Sequence, residues 1–343
     1  MKKYSLLFLS ILSVVFFENL TSPAKRFELD ETTSVAEVLE NLGDTTFYAK
    51  PNTNLRGVSA ERGKAIVLTG IARKPKGGKT GKQSKHFVCT ACHNVEREDP
   101  DLSVVDPQAR LLYAKEKGLP YLQGTALYGV VNRSSFYNGD YEKKYGDLVL
   151  KTRHNIRQAI QLCATECSQG QRLKDWELES VLAYLWTIDL KMGDLNLTKT
   201  ERQRISAALE EGKKNPEAIG FIKSHYLQAA PATFLDPPKD RKMGYSKKGD
   251  PENGKLIYEL SCLHCHKNKR YSFLNLDNSN YSFQFLEKHF PTYSRYSVYQ
   301  VARYGTSPMP WKRAYMPNYT KEKMTNDMLE DLRVFIEQQA WHE

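Results

Sequence analysis

The sequence predicts an all-α protein of two modest tandem domains, and three observations carry that expectation. A pentapeptide of the form Cys-x-x-Cys-His stands twice, as Cys89-Thr90-Ala91-Cys92-His93 and as Cys262-Leu263-His264-Cys265-His266. Apolar residues recur at helical spacing in Leu178, Val181, Leu182 and Leu185, and again in Met328, Leu329, Leu332, Phe335 and Ile336. Between these helices a proline-rich, charged stretch from Ala229 to Gly249 reads as an extended linker.

The pentapeptide is the attachment signature of a covalently bound c-type haem, so two haem c groups are expected. Two cysteines one helical turn apart point to the same side and can reach both vinyl groups, and the next residue then lies under the iron. Cys89, Cys92, Cys262 and Cys265 are the attachment residues on this reading, and His93 and His266 the proximal ligands. A lone Cys-x-x-Cys also suits a thioredoxin-like redox pair or half of a zinc site. Cys89 and Cys92 with Cys163 and Cys167 would make a four-cysteine zinc set, which leaves the adjacent histidine unexplained at both places.

Taken in chain order, residues 1–24 read as a secretory signal. Lys2 and Lys3 precede an apolar run from Tyr4 to Phe17, and Ser22 and Ala24 are small enough for cleavage after Ala24. The run is shorter than the ~20 residues of a spanning helix. The protein is therefore expected to be periplasmic or otherwise extracytoplasmic, with membrane anchorage if the signal stays uncleaved. The first domain is expected over 55–195, with a helix around Arg62-Gly63-Lys64-Ala65-Ile66-Val67 and a basic, glycine-rich insert around Lys74 to Lys85 that reads as a solvated loop. A linker with short helices covers 196–248, and the second domain 249–343. The latter opens with an amphipathic helix from Gly254 through Tyr258 to Cys262, and closes with a helix capped by Thr325 and carrying Asp327 in its first turn.

Those residues carry a family resemblance. Gly254 with Tyr258 four residues on resembles the opening of class I cytochrome c domains, where the glycine lets the first helix cross the last one closely. Met316-Pro317 before the final helix resembles their distal loop. The resemblance implies Met316 as the sixth ligand of the second haem, with Met309, also followed by proline, as the other candidate. In the first domain Cys163, Gly170 and Leu173, followed by Glu179, Ser180, Ala183 and Tyr184, resemble the N-terminal domain of dihaem thiosulfate dehydrogenases and, more distantly, the haem subunit of the Sox complex. That resemblance implies Cys163 as a distal thiolate ligand. Cys167 stands where the family pattern carries serine, and Cys163 and Cys167 are close enough in sequence for a disulfide instead; His154 is a third ligand candidate.

The implied function is electron transfer, with thiosulfate or a related sulfur anion oxidised at the first haem and the second haem passing electrons to a redox partner, another cytochrome or a terminal oxidase. A thiolate stabilises ferric iron and a thioether ferrous iron, which sets that direction. Arg133, Arg153 and Arg157 are the candidate cations for a dianion, each weighed against a propionate-binding or structural role. The formal charge of +10 suits an anionic substrate or acidic partner. Nucleic acid is not expected, in the absence of a binding motif. An electron carrier without substrate chemistry is the alternative, and a dihaem peroxidase the third reading.

Overall fold

The computed structural model describes residues 29–46, 49–308 and 315–341. The signal segment and Met309 lie outside them. The chain is helical: among the described residues the only β pairings are isolated bridges, Ser34 with Lys191, Arg73 with Lys79 and Ser135 with Ala229. No helix is long and apolar enough to cross a membrane among the described residues.

Three apolar cores organise the molecule. The first forms around α1 (Val35–Asn41), whose Val35, Val38 and Leu39 pack with Leu190, Met192 and Leu195 and with Ile205 and Ile222 of two later helices. The second is built on α2 (Ala60–Thr69). Ser59 caps this helix by accepting from the Arg62 amide at 3.2 Å. The basic insert that follows is an exposed turn, closed by Lys74 N–H to Gly78 at 2.9 Å and Thr80 N–H to Ala72 at 2.9 Å.

Next comes α3 (Pro107–Lys117), started by Asp106 and stopped by Gly118 in the left-handed region. It falls inside the first-domain boundaries expected from sequence, yet Leu111 and Ala114, with Leu119 and Tyr121 just beyond it, belong to the third core, whose other buried residues all come after 256. Periodicity reveals an apolar face but not what covers it. After α4 (Tyr141–Tyr145) and α5 (Ile156–Leu162), the chain makes a π-helical turn over Cys163–Cys167. It then enters α6 (Asp175–Leu185), where the predicted stripe Leu178, Val181, Leu182 and Leu185 is buried.

The linker region is more structured than its composition suggests. α7 (Lys199–Glu210) opens on a Thr198/Glu201 capping box and α8 (Pro216–Ser224) on Asn215; both turn their apolar residues into the α1 core. Residues 230–238 run without helix, tied to one half through Phe234 N–H to Asp140 at 2.8 Å and to the other through Thr233 to Glu322 at 2.7 Å, and the chain then turns over 239–246, where Gly244 N–H meets the Asp240 carbonyl at 2.9 Å.

The remaining helices are α9 (Pro251–Ile257), α10 (Leu263–His266), α11 (Asn280–His289), α12 (Val298–Tyr304) and α13 (Asn326–Trp341). Thr325 accepts from the Met328 amide at 3.2 Å, so the predicted cap of α13 is present. Two helix crossings repeat one device. Where α2 crosses α6, a Cβ on Gly63 would lie 1.8 Å from the Ser180 carbonyl oxygen and 2.9 Å from Tyr184 Cβ. Where α9 crosses α13, a Cβ on Gly254 would lie 2.0 Å from the Asp331 carbonyl oxygen and 2.8 Å from Phe335 Cβ. Each glycine thus meets residues i and i+4 of the closing helix, and only the lack of a side chain allows the approach.

Candidate functional site

Each glycine crossing precedes a Cys-x-x-Cys-His pentapeptide, Gly254 closely and Gly63 across the basic insert. The first pentapeptide begins in a 3₁₀ turn over Cys89–Ala91, and the second follows a π-helical turn over Tyr258–Cys262 that runs into α10. Tyr258 is fully buried against Phe283 and Phe335, with ring centroids 5.1 and 5.8 Å away, which anchors the second lead-in.

The two histidines are held alike. His93 Nδ1 sits 2.7 Å from the Thr125 carbonyl oxygen, and His266 Nδ1 sits 3.1 Å from that of Leu274. A carbonyl only accepts, so Nδ1 carries the proton in both rings and Nε2 keeps its lone pair. Burial pushes both imidazoles below the ordinary histidine range and keeps them neutral. Gly124 makes room at the first ring, since a Cβ there would fall 2.5 Å from His93 Nδ1. Burial raises the Cys89 thiol to about 11, Cys262 to about 12 and Cys265 to about 11.

The pentapeptides also touch each other. Cys265 Sγ lies 3.9 Å from the Ala91 carbonyl oxygen, and His264 comes close enough to the Thr90 backbone to feel its carbonyl. Beside them a cavity of about 560 Å³ is lined by Cys262, Cys265, His266, Leu286, Leu332 and Met316, and it reaches Ala91 and Cys92 of the first pentapeptide. Met316 is half-buried; its backbone pairs with Thr306 at 2.8 and 2.9 Å, and its carbonyl crowds Gly305, whose φ of +68° no β-branched residue would tolerate.

The surroundings of Cys163 are polar. All six cysteines are free, and Cys163 and Cys167 are hydrogen-bonded to each other rather than joined. Tyr145 and Tyr137 direct their hydroxyls at Cys167 Sγ, at 3.2 and 3.5 Å. Donation from Cys163 pulls the Cys167 thiol down to about 6, against the cost of burial and with help from both tyrosines and the Lys144 ammonium. The proton lodges on Cys163, whose thiol is pushed well up. Tyr141 stacks on Tyr145 with centroids 6.2 Å apart, and Tyr315, the neighbour of Met316, is hydrogen-bonded to Tyr145. Cys89 and Cys92 are near enough to interact electrostatically with Cys163.

The expected cations fall in different places. Arg133 is half-buried near His93, between the charges of Glu98 and Asp99, and makes no side-chain hydrogen bond among the described residues. Arg157 is committed elsewhere: its Nε and Nη2 grip Glu179 at 2.6 and 2.8 Å, and Nη2 also donates to the Lys50 carbonyl at 2.8 Å. Arg153 faces Glu142 at 3.4 Å, and exposed His154 bonds the Ser134 carbonyl at 2.9 Å. The cation beside the thiol pair is Lys144, which sequence reasoning passed over together with Tyr137, Tyr145 and Tyr315. Tyrosines at 137, 141 and 145, a four-residue period, were the available signal.

The two halves meet over a buried charge cluster. Glu98, 2 % exposed, accepts from Lys323 at 2.7 Å, Arg110 at 3.2 Å, Asn94 at 2.9 Å and the Ala126 amide at 3.1 Å. Arg110 stacks 4.1 Å over Tyr121. Comparison with the known protein families, with curated proteins and with solved structures finds no match to this chain.

Proposed function

We propose that the protein is an extracytoplasmic dihaem cytochrome c that transfers electrons. In this reading the first half oxidises thiosulfate or a related sulfur anion, and the second half passes electrons to an acceptor such as another cytochrome or a terminal oxidase. The observation that carries the reading is the matched pair of histidines. Each follows a Cys-x-x-Cys, each is half-buried with its imidazole pushed towards the neutral form, and each has Nδ1 fixed by a backbone carbonyl so that Nε2 is left as a ligand.

A haem iron, when bound, takes up and gives up single electrons. Cys89 with Cys92 and Cys262 with Cys265, all free and half-buried, would hold the two groups by thioether bonds. The apolar cavity beside His266 suits a porphyrin in character, and Met316 on its wall suits a distal thioether. On the first side Cys163 and Cys167 supply the sulfur. Arg133, a half-buried cation with no side-chain hydrogen-bond partner among the described residues, suits a propionate. Contact between the two pentapeptides supports direct exchange between the centres.

The test is to express the full chain in a host competent in cytochrome maturation. A mass increase of two haems, a c-type absorption spectrum and reduction by thiosulfate are the expected results. Colourless protein would overturn the haem assignment. A coloured protein inert towards thiosulfate would be an electron carrier, and turnover of hydrogen peroxide would make it a peroxidase.

A further inference from the structure

We infer that Glu98 tunes His93 through the single peptide group between Thr125 and Ala126, making His93 a stronger electron donor than His266; this deepens the electron-transfer reading and rests on it. That peptide group is held at both ends. Its carbonyl oxygen, on Thr125, lies 2.7 Å from His93 Nδ1, and its N–H, on Ala126, donates to Glu98 Oε1 at 3.1 Å. An unbroken row therefore runs from carboxylate to peptide to imidazole. Glu98 is only 2 % exposed, and the cations that face it, Lys323 at 2.7 Å and Arg110 at 3.2 Å, keep it ionised.

Hydrogen bonds in a row polarise one another, so a peptide whose N–H meets a negative charge presents a more negative carbonyl oxygen at its other end. That oxygen draws the Nδ1 proton harder and leaves more electron density at Nε2, as a carboxylate does when it bonds a ligand histidine directly. The second half has no such backing. His266 Nδ1 lies 3.1 Å from the Leu274 carbonyl, and the Asn275 N–H at the far end of that peptide meets no carboxylate among the described residues. An electron-richer ligand favours ferric iron, so the first centre should have the lower potential on this account. The segment does not depend on Glu98 for its place, since Gly124 N–H bonds the Cys92 carbonyl at 2.9 Å and Leu127 N–H the Asn94 carbonyl at 2.7 Å. What Glu98 adds is charge. Lys323, brought by the second half, donates to the same Glu98 oxygen and draws that charge away from the peptide.

The experiment takes the haem-loaded full chain, isotopically labelled at histidine nitrogen, and reads the Nδ1–H proton resonances of His93 and His266 in the reduced protein beside both potentials from spectroelectrochemical titration. Glu98→Gln keeps an oxygen for the Ala126 N–H but loses the charge. The His93 resonance should move upfield as its hydrogen bond weakens, and reduction of the first haem should become about tenfold more favourable, a rise of about 59 mV for a one-electron couple. Lys323→Met should do the reverse, moving the resonance downfield and lowering that potential. The His266 resonance should stay in place in both variants. A carboxylate that only braced the segment would loosen it in both variants and move the His93 resonance the same way in each; that result, or no movement in either, would overturn the inference and spare the electron-transfer reading. Should Glu98→Gln fail to fold, Lys323→Met decides alone, and an upfield or unmoved resonance there overturns the inference. Colourless wild-type protein would overturn the inference and the electron-transfer reading together.

Discussion

The two halves share one scaffold and part company on one face. Each crosses its opening and closing helices at a glycine set against a carbonyl, Gly63 on Ser180 and Gly254 on Asp331, and each ties its pentapeptide histidine by Nδ1 to a main-chain oxygen. Beyond the histidines the likeness ends. The second half offers an apolar cavity with Met316 on its wall; the first offers two thiols, hydroxyls from Tyr137 and Tyr145 and the Lys144 ammonium. On the proposed function the shared face would hold the same group in each half, and the divergent face would serve two different tasks.

The largest predicted effect strikes the seam between the halves. Glu98→Ala leaves Arg110 and Lys323 buried without their anion and should cost about 3–5 kcal/mol of stability. The wild-type carboxyl sits at about 2, below the ordinary 4.5: burial opposes its ionisation, but Lys323 and Arg110 outweigh burial. A carboxyl depressed on folding stabilises above its unfolded pKa and loses that contribution as pH falls through the folded one. Acid melting should therefore steepen between pH 4.5 and 2, and Glu98→Gln should remove that steepening. Equal acid profiles for the two proteins would mean that the halves are joined by apolar packing alone.

The shared scaffold is tested next. Gly63→Ala and Gly254→Ala each force a Cβ onto a carbonyl oxygen and should each cost about 1–3 kcal/mol by the usual cost of overpacking. The comparison demands that both be sensitive. A tolerant Gly63 would make the first crossing a coincidence of sequence, while matched losses in chemical denaturation would establish a true structural repeat.

Much of this scaffold was legible beforehand. The stripe at Leu178, Val181, Leu182 and Leu185 is buried, and so are Met328, Leu329, Leu332, Phe335 and Ile336 on α13. Thr325 caps that helix, and Gly254 and Tyr258 make the contacts that their spacing suggests. Local patterns record local geometry, which is why these were readable. The destination of α3 was not, since Leu111 and Tyr121 look the same whether they cover the first core or the third. Nor was the joining of Glu98 to Lys323, which are 225 positions apart. The thiol pair was visible as a departure from the family pattern, but the tyrosines around Cys167 belong to another segment and only the fold brings them to it.

The divergent face is probed by removing one hydroxyl. Tyr145→Phe deletes the shorter of the two hydroxyl contacts to Cys167, a hydrogen bond worth about 1 kcal/mol, so the thiol should rise from about 6. Alkylation of Cys167 by iodoacetamide near pH 6, followed by peptide mass spectrometry, should slow by about fivefold. Tyr319→Phe in the second half removes a hydroxyl bonded to Ser261 and should leave the same rate unaltered. If both substitutions acted equally, the polar face would not belong to the first half alone.

The smallest effect is expected at a cation the sequence put forward. Arg153 meets Glu142 at 3.4 Å, and the Glu142 side chain is 61 % exposed. Water screens such a pair, and holding two long side chains together costs entropy, so Arg153→Ala should change stability by less than about 1 kcal/mol. It should also leave any reduction by thiosulfate unaltered, because the guanidinium answers a carboxylate of its own segment. A loss of stability for Arg153→Ala as large as that for Glu98→Ala would mean that charge holds the outer face of the first half as firmly as it holds the seam, and the contrast between the buried cluster and the exposed pair would be gone.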